Sequence, residues 1–70
     1  MKKEEYLEGL RTALRAAKLP SSAIAEGVEF YTEAIDDRME DGTSEEDAVA
    51  QMGPLEDALA AVSAEVPPVP

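Results

Sequence analysis

Three interruptions divide the chain into helix-sized pieces: Leu19-Pro20, Asp41-Gly42 and Gly53-Pro54. Proline cannot donate to a helical ladder and disfavours helix in the residue before it. Glycine suits the left-handed position just past a helix end. Between these points the apolar residues recur at spacings of three and four, the signature of one buried helical stripe. The pattern predicts an all-α, compact bundle of about four helices and no sheet.

The first helix is expected from about Lys3 to Ala17, with Tyr6, Leu7, Leu10, Ala13, Leu14 and Ala17 on its buried side. Ser21 or Ser22 can cap the second through a side-chain oxygen. Its stripe is Ile24, Val28, Tyr31, Ile35 and Met39, widened by Phe30 and Ala34, and Asp41-Gly42 ends it. A short third helix follows. Thr43 with Glu46 reads as its capping box, and Ser44 with Asp47 is the alternative one residue on. Ala48, Val49 and Met52 face inward and Gly53 stops the helix. Pro54 then suits the first turn of a fourth helix, with Leu55, Ala58, Leu59 and Val62 buried. These last two helices have the outline of a helix-turn-helix. The domain is expected over 1–63. The remainder, 64–70, ending in Val-Pro-Pro-Val-Pro, reads as an extended linker or tail.

With 70 residues, the core is thin, since a chain of this size buries only ~60% of its unfolded surface. The absence of Cys and His excludes disulfides and thiolate metal sites, along with the commonest general base and metal ligand. Packing, with homo-oligomerisation as a further source of buried area, is left to hold the fold. No cofactor and no catalytic residue is expected. Ser44 and the other hydroxyls lack a His to activate them, and no Gly-rich phosphate loop exists.

Charge is unevenly spread. Residues 1–20 carry a net +2, residues 21–62 a net −11 with Arg38 as their one cation, and the whole chain −10. Such a surface repels phosphate backbones and anionic membrane faces, so neither is expected as a direct ligand. The helix-turn-helix outline agrees: from Pro54 to Pro70 there is no Lys or Arg to read DNA. No stretch reaches the ~20 apolar residues of a membrane span.

Two acidic patterns invite functional readings. Asp37–Ala48 has the acids and glycine of a calcium loop at its first, fifth and sixth positions (Asp37, Asp41, Gly42). Met39 and Ala48 stand where two main oxygen ligands are required. A helix end followed by a helix start explains the same residues, so no metal site is expected. On the second helix Glu33, Asp37 and Glu40 lie at spacings of four and three, on one face roughly opposite Val28, Tyr31, Ile35 and Met39. A solvated face is the plain reading. The functional one is a partner-binding surface, because dense negative charge steers a basic protein. Arg38 is expected nearer the core edge, paired with Asp41.

The opening Met1-Lys2-Lys3-Glu4-Glu5-Tyr6-Leu7-Glu8-Gly9-Leu10 resembles the start of the HAAS signalling domain. The run Tyr31, Glu33, Ile35-Asp36-Asp37-Arg38-Met39-Glu40-Asp41-Gly42 and Ser44-Glu45-Glu46, with Gly53 beyond it, resembles that family's centre. The likeness covers roughly 1–62. One departure is that Pro54 follows the glycine directly, where the family places it two residues on, which moves the expected start of the fourth helix by about a residue. The resemblance implies a non-enzymatic, helical, cytoplasmic domain at the N-terminus of a bacterial inner-membrane protein. It further implies a signalling role, with a PadR-like transcription regulator as the partner. A tail leading to a membrane portion would fit the proline-rich end. The competing expectation is a structural or oligomerisation module of a membrane transporter.

Overall fold

The computed structural model describes residues 1–65, which fold into four helices: α1 (Lys3–Ala16), α2 (Ser21–Glu40), α3 (Glu45–Ala50) and α4 (Leu55–Glu65). No strand occurs among the described residues. The expected all-α bundle is what forms. Helix α1 is its hub, packing against α2, α3 and α4, while α2 also packs on α3.

The core is Tyr6, Leu10 and Leu14 of α1, Ile35 of α2, Ala48 and Val49 of α3, and Ala58 and Val62 of α4. Leu10, Leu14, Ile35, Ala48 and Ala58 are completely covered. Each comes from a stripe expected from helical spacing. Two glycines let the helices close on one another. A Cβ added to Gly27 would stand 3.0 Å from Val62 Cγ2, and one added to Gly9 would stand 2.7 Å from Leu55 Cδ1. Bare backbone at these points allows α2 and α1 to approach α4 closely.

The helix ends follow local chemistry, with some departures from expectation. Helix α2 stops in a Schellman motif, in which the Gly42 amide donates to Met39 O at 3.1 Å and the Thr43 amide to Arg38 O at 3.0 Å. Gly42 takes φ +100 there. Helix α1 ends the same way, Lys18 donating to Arg15 O and Leu19 to Leu14 O. Lys18 occupies the left-handed position at φ +62, without the glycine that normally relieves it. Ala17, expected on the buried stripe, is the C-cap of α1 and exposed, because the helix has turned away by then.

Neither Ser21 nor Ser22 caps α2. Extended Pro20 holds the N-cap position with no side-chain cap bond, so Ser21 is already the first helical residue. At α3 the Ser44 register wins, its side chain accepting from the Asp47 amide. Pro54 lies just outside α4 rather than in its first turn, and its carbonyl accepts from the Asp57 and Ala58 amides. Helix α4 runs on to Glu65, two residues past the expected domain end. The Val66–Pro70 tail reading lies outside the described residues.

Candidate functional site

On a helix, residues three, four and seven apart share a face. Phe30 therefore stands among Glu26 (four before), Glu33 (three after) and Asp37 (seven after), and Glu40 continues the row. Glu33, Asp37 and Glu40 are all exposed, as their spacing predicts. Among the described residues none of the three makes an ion pair. The structure thus brings the three expected acids together on one open face, and adds an aromatic ring to it.

Phe30 was expected to widen the buried stripe, and it does not. Its exposure is 64%, above the 61% of Met1, the next most exposed large apolar side chain among the described residues. The reason is angular. The buried side of α2 centres on Val28 and Ile35, and at ~100° per residue Phe30 lies well round from both. The covering helix α4 meets α2 at Gly27 through Val62, which leaves Phe30 at the margin of that contact. Its ring still touches the interior. Phe30 and Tyr31 meet edge to face, with centroids 5.3 Å apart, and Tyr31 lies 6.3 Å from buried Tyr6. Met39, also expected inside, is 38% exposed near the end of the helix.

Beside Phe30, α2 and α4 frame a groove of about 330 Å³, lined by Gly27, Phe30, Tyr31 and Val62 with Glu26 and Glu65 on it. The exposed ring and this groove are what sequence reasoning missed. Spacing puts Phe30 on the side of α2 that carries Glu26, Glu33 and Asp37, but whether α4 covers that side is not written in α2 itself.

Arg38 departs from expectation too. It does not pair with Asp41. Its Nε donates to Gln51 Oε1 at 2.9 Å and its Nη1 to Ala34 O at 3.0 Å. The guanidinium ties α2 to the end of α3, so it is a structural link rather than part of the acidic face. The Asp37–Ala48 segment forms the end of α2, the Gly42 turn and the Ser44-capped start of α3. Among the described residues no group of three or more His, Cys, Asp or Glu side chains is arranged to hold a metal.

Tyr6 is the one buried side chain with an unsatisfied polar atom among the described residues: its Oη has no hydrogen-bond partner. Burial first, then the nearby Tyr31 and Asp57, push its phenol above the ordinary tyrosine range. A phenol that holds its proton so firmly, sealed within the core, is poorly suited to proton transfer at neutral pH.

No helix of the described residues is long and apolar enough to cross a membrane. Comparison with curated proteins finds no match, and neither does comparison with solved structures. The family model described as HAAS matches residues 5–61. That span takes in α2 and α3 whole and most of α1 and α4, and the chain belongs to the HAAS family.

Proposed function

We propose that this chain is a non-enzymatic protein-interaction domain of a bacterial signalling protein, working on the cytoplasmic side of the inner membrane. The expected partner is a PadR-like transcription regulator, engaged through the acidic face of α2. The observation that carries this reading is that face itself: Glu33, Asp37 and Glu40 exposed, without ion-pair partners among the described residues, around an exposed aromatic ring. Solubility alone accounts for scattered acids. The Phe30 ring in their midst adds an apolar contact that a purely solubilising face does not need. A DNA-binding regulator carries a basic surface of the sign this face attracts, and an acidic domain competing for that surface would hold the regulator off DNA. Membership of the HAAS family supports the signalling setting, and the lack of His and Cys supports a role without catalysis.

The test is charge reversal at Glu33, Asp37 and Glu40 together, with the variant checked for retained helicity. Wild-type and triple-Lys proteins are then compared for binding to the purified regulator encoded beside the gene, across a salt series. The reading expects association that weakens with salt and is largely lost in the variant. Equal binding by both proteins would leave the acidic face without a recognition role.

A further inference from the structure

The groove between α2 and α4 adds to the acidic face something charge alone cannot supply, an apolar seat. We propose that it receives one apolar side chain of a basic, amphipathic partner segment, with Phe30 as the contact ring. This proposal rests on the acidic-face reading above and adds the chemistry of the anchor. Three observations carry it. Gly27, Val62 and the ring of Tyr31 give the groove an apolar part beside polar lining of similar extent, with room of about 330 Å³, the lower end of the range for ligand-sized sites. Phe30 is 64% exposed beside it yet is braced by its edge contact with Tyr31, so the ring is presented rather than loose. Glu26 and Glu65 stand at the groove, one on each helix, and bring negative charge to it from both sides.

Charge selects the occupant. A second copy would bring its own Glu26, Phe30 and Glu33 row against this one, within a chain of net charge −10, and like charges oppose that pairing. Phosphate-bearing ligands and anionic lipid are disfavoured by the same sign. A segment with Lys or Arg flanking one Leu, Phe or Trp satisfies both, its cations meeting the rim and its apolar side chain the groove's apolar part. This is helix-in-groove recognition with an acidic border.

The test uses synthetic 15-residue amphipathic peptides as probes, rich in Lys and Arg with a single central Phe, alongside the same peptides carrying Ala at that position. Binding is followed by amide chemical-shift changes in the 70-residue chain. The proposal expects the Phe peptide to bind at least tenfold more tightly than the Ala peptide, with shifts at Gly27, Tyr31 and Val62. Phe30→Ser should abolish that difference. Ala61→Lys, which places a cation on an exposed groove residue, should weaken the Phe peptide independently. Both variants alter exposed positions, and circular dichroism checks that they fold.

Equal binding of Phe and Ala peptides, with shifts confined to Glu33, Asp37 and Glu40, would overturn the groove while leaving the acidic face standing. Tight Phe-peptide binding unaffected by triple charge reversal would keep the groove and remove the acidic face. Absence of binding by either peptide would overturn both. A Phe30-dependent dimer in sedimentation would assign the groove to a second copy instead, and a tenfold gain on deleting 66–70 would assign it to the chain's own end.

Discussion

Lys3 Nζ lies 2.6 Å from Asp36 Oδ1, joining the first residue of α1 to the latter part of α2. The same lysine's backbone amide donates to Glu45 Oε2 at 2.9 Å. An orphan amide at the start of one helix is therefore capped by a carboxylate from another, and Lys3 links three helices at once. Asp36 is about half exposed, its side chain at 49%, which limits the pair to ~0.2–1 kcal/mol. A double-mutant cycle with Lys3→Met and Asp36→Asn should measure a coupling in that range, smaller at high salt. Glu45→Ala should cost about 1 kcal/mol, the worth of a helix cap, with the part due to the carboxylate's charge screened by salt and the hydrogen bond itself remaining. Urea unfolding measures all of these. A Glu45→Ala loss that vanished with salt would make that contact one of charge alone.

Tyr6→Phe should stabilise the protein. The Tyr6 hydroxyl is buried without a partner, and removing such a group while keeping the ring relieves a desolvation cost of ~1 kcal/mol. The substitution should also change the pH profile. Unfolded tyrosine ionises near its ordinary value of about 10, whereas the folded Tyr6 phenol holds its proton to higher pH. The folded state then binds more protons than the unfolded one, so stability is unaffected below pH ~10 and falls as pH rises beyond it. Wild type should lose stability above that point more steeply than Tyr6→Phe. Parallel alkaline profiles would mean that Tyr6 is not the group responsible.

Lys18→Gly should raise stability by about 1 kcal/mol. Lys18 closes the Schellman motif of α1 at φ +62, a conformation that costs a side-chain-bearing residue ~1–2 kcal/mol, part of which glycine returns as unfolded-state entropy. A thermal shift of several degrees is the expected size for a domain this small. No shift, or a lower midpoint, would mean that contacts of the lysine stem outweigh the backbone strain.

Truncation in the core should grade with burial. Leu10 and Ile35 are wholly covered, so Leu10→Ala and Ile35→Ala should each cost ~2–5 kcal/mol. Leu59 packs against the core while only partly buried, and Leu59→Ala should cost less, about 1–2 kcal/mol. Chemical denaturation ranks the three. Leu59→Ala as the most damaging of them would mean that α4 carries more of the core than its exposure indicates.

The helices themselves were legible in the sequence because their determinants are local. Spacings of three and four located Tyr6, Leu10, Leu14, Ile35, Val49, Ala58 and Val62 in the core, and Asp41-Gly42 and Gly53 located two helix ends. The acidic row of Glu33, Asp37 and Glu40 was legible for the same reason, since one helix sets it. Errors arose where a side chain's surroundings come from elsewhere in the chain. Arg38 had a plausible neighbour in Asp41 but bonds Gln51, thirteen residues away. Lys3 reaches partners 33 and 42 residues distant, and no pattern in a single sequence indicates such pairings.

Phe30 shows the division most plainly. Periodicity fixes which side of α2 the ring leaves from, and sequence alone settled that this helix exists, where it ends and which acids share a face. Whether that side is covered depends on how closely α4 approaches, and that is set by bare backbone at Gly27 meeting Val62. Local hydrogen bonding and rotamer preference act over a few residues, so the sequence wrote them directly. Burial is a property of two surfaces brought together, and only the packed chain decided that Phe30 would remain at the surface, beside a groove bordered by carboxylates.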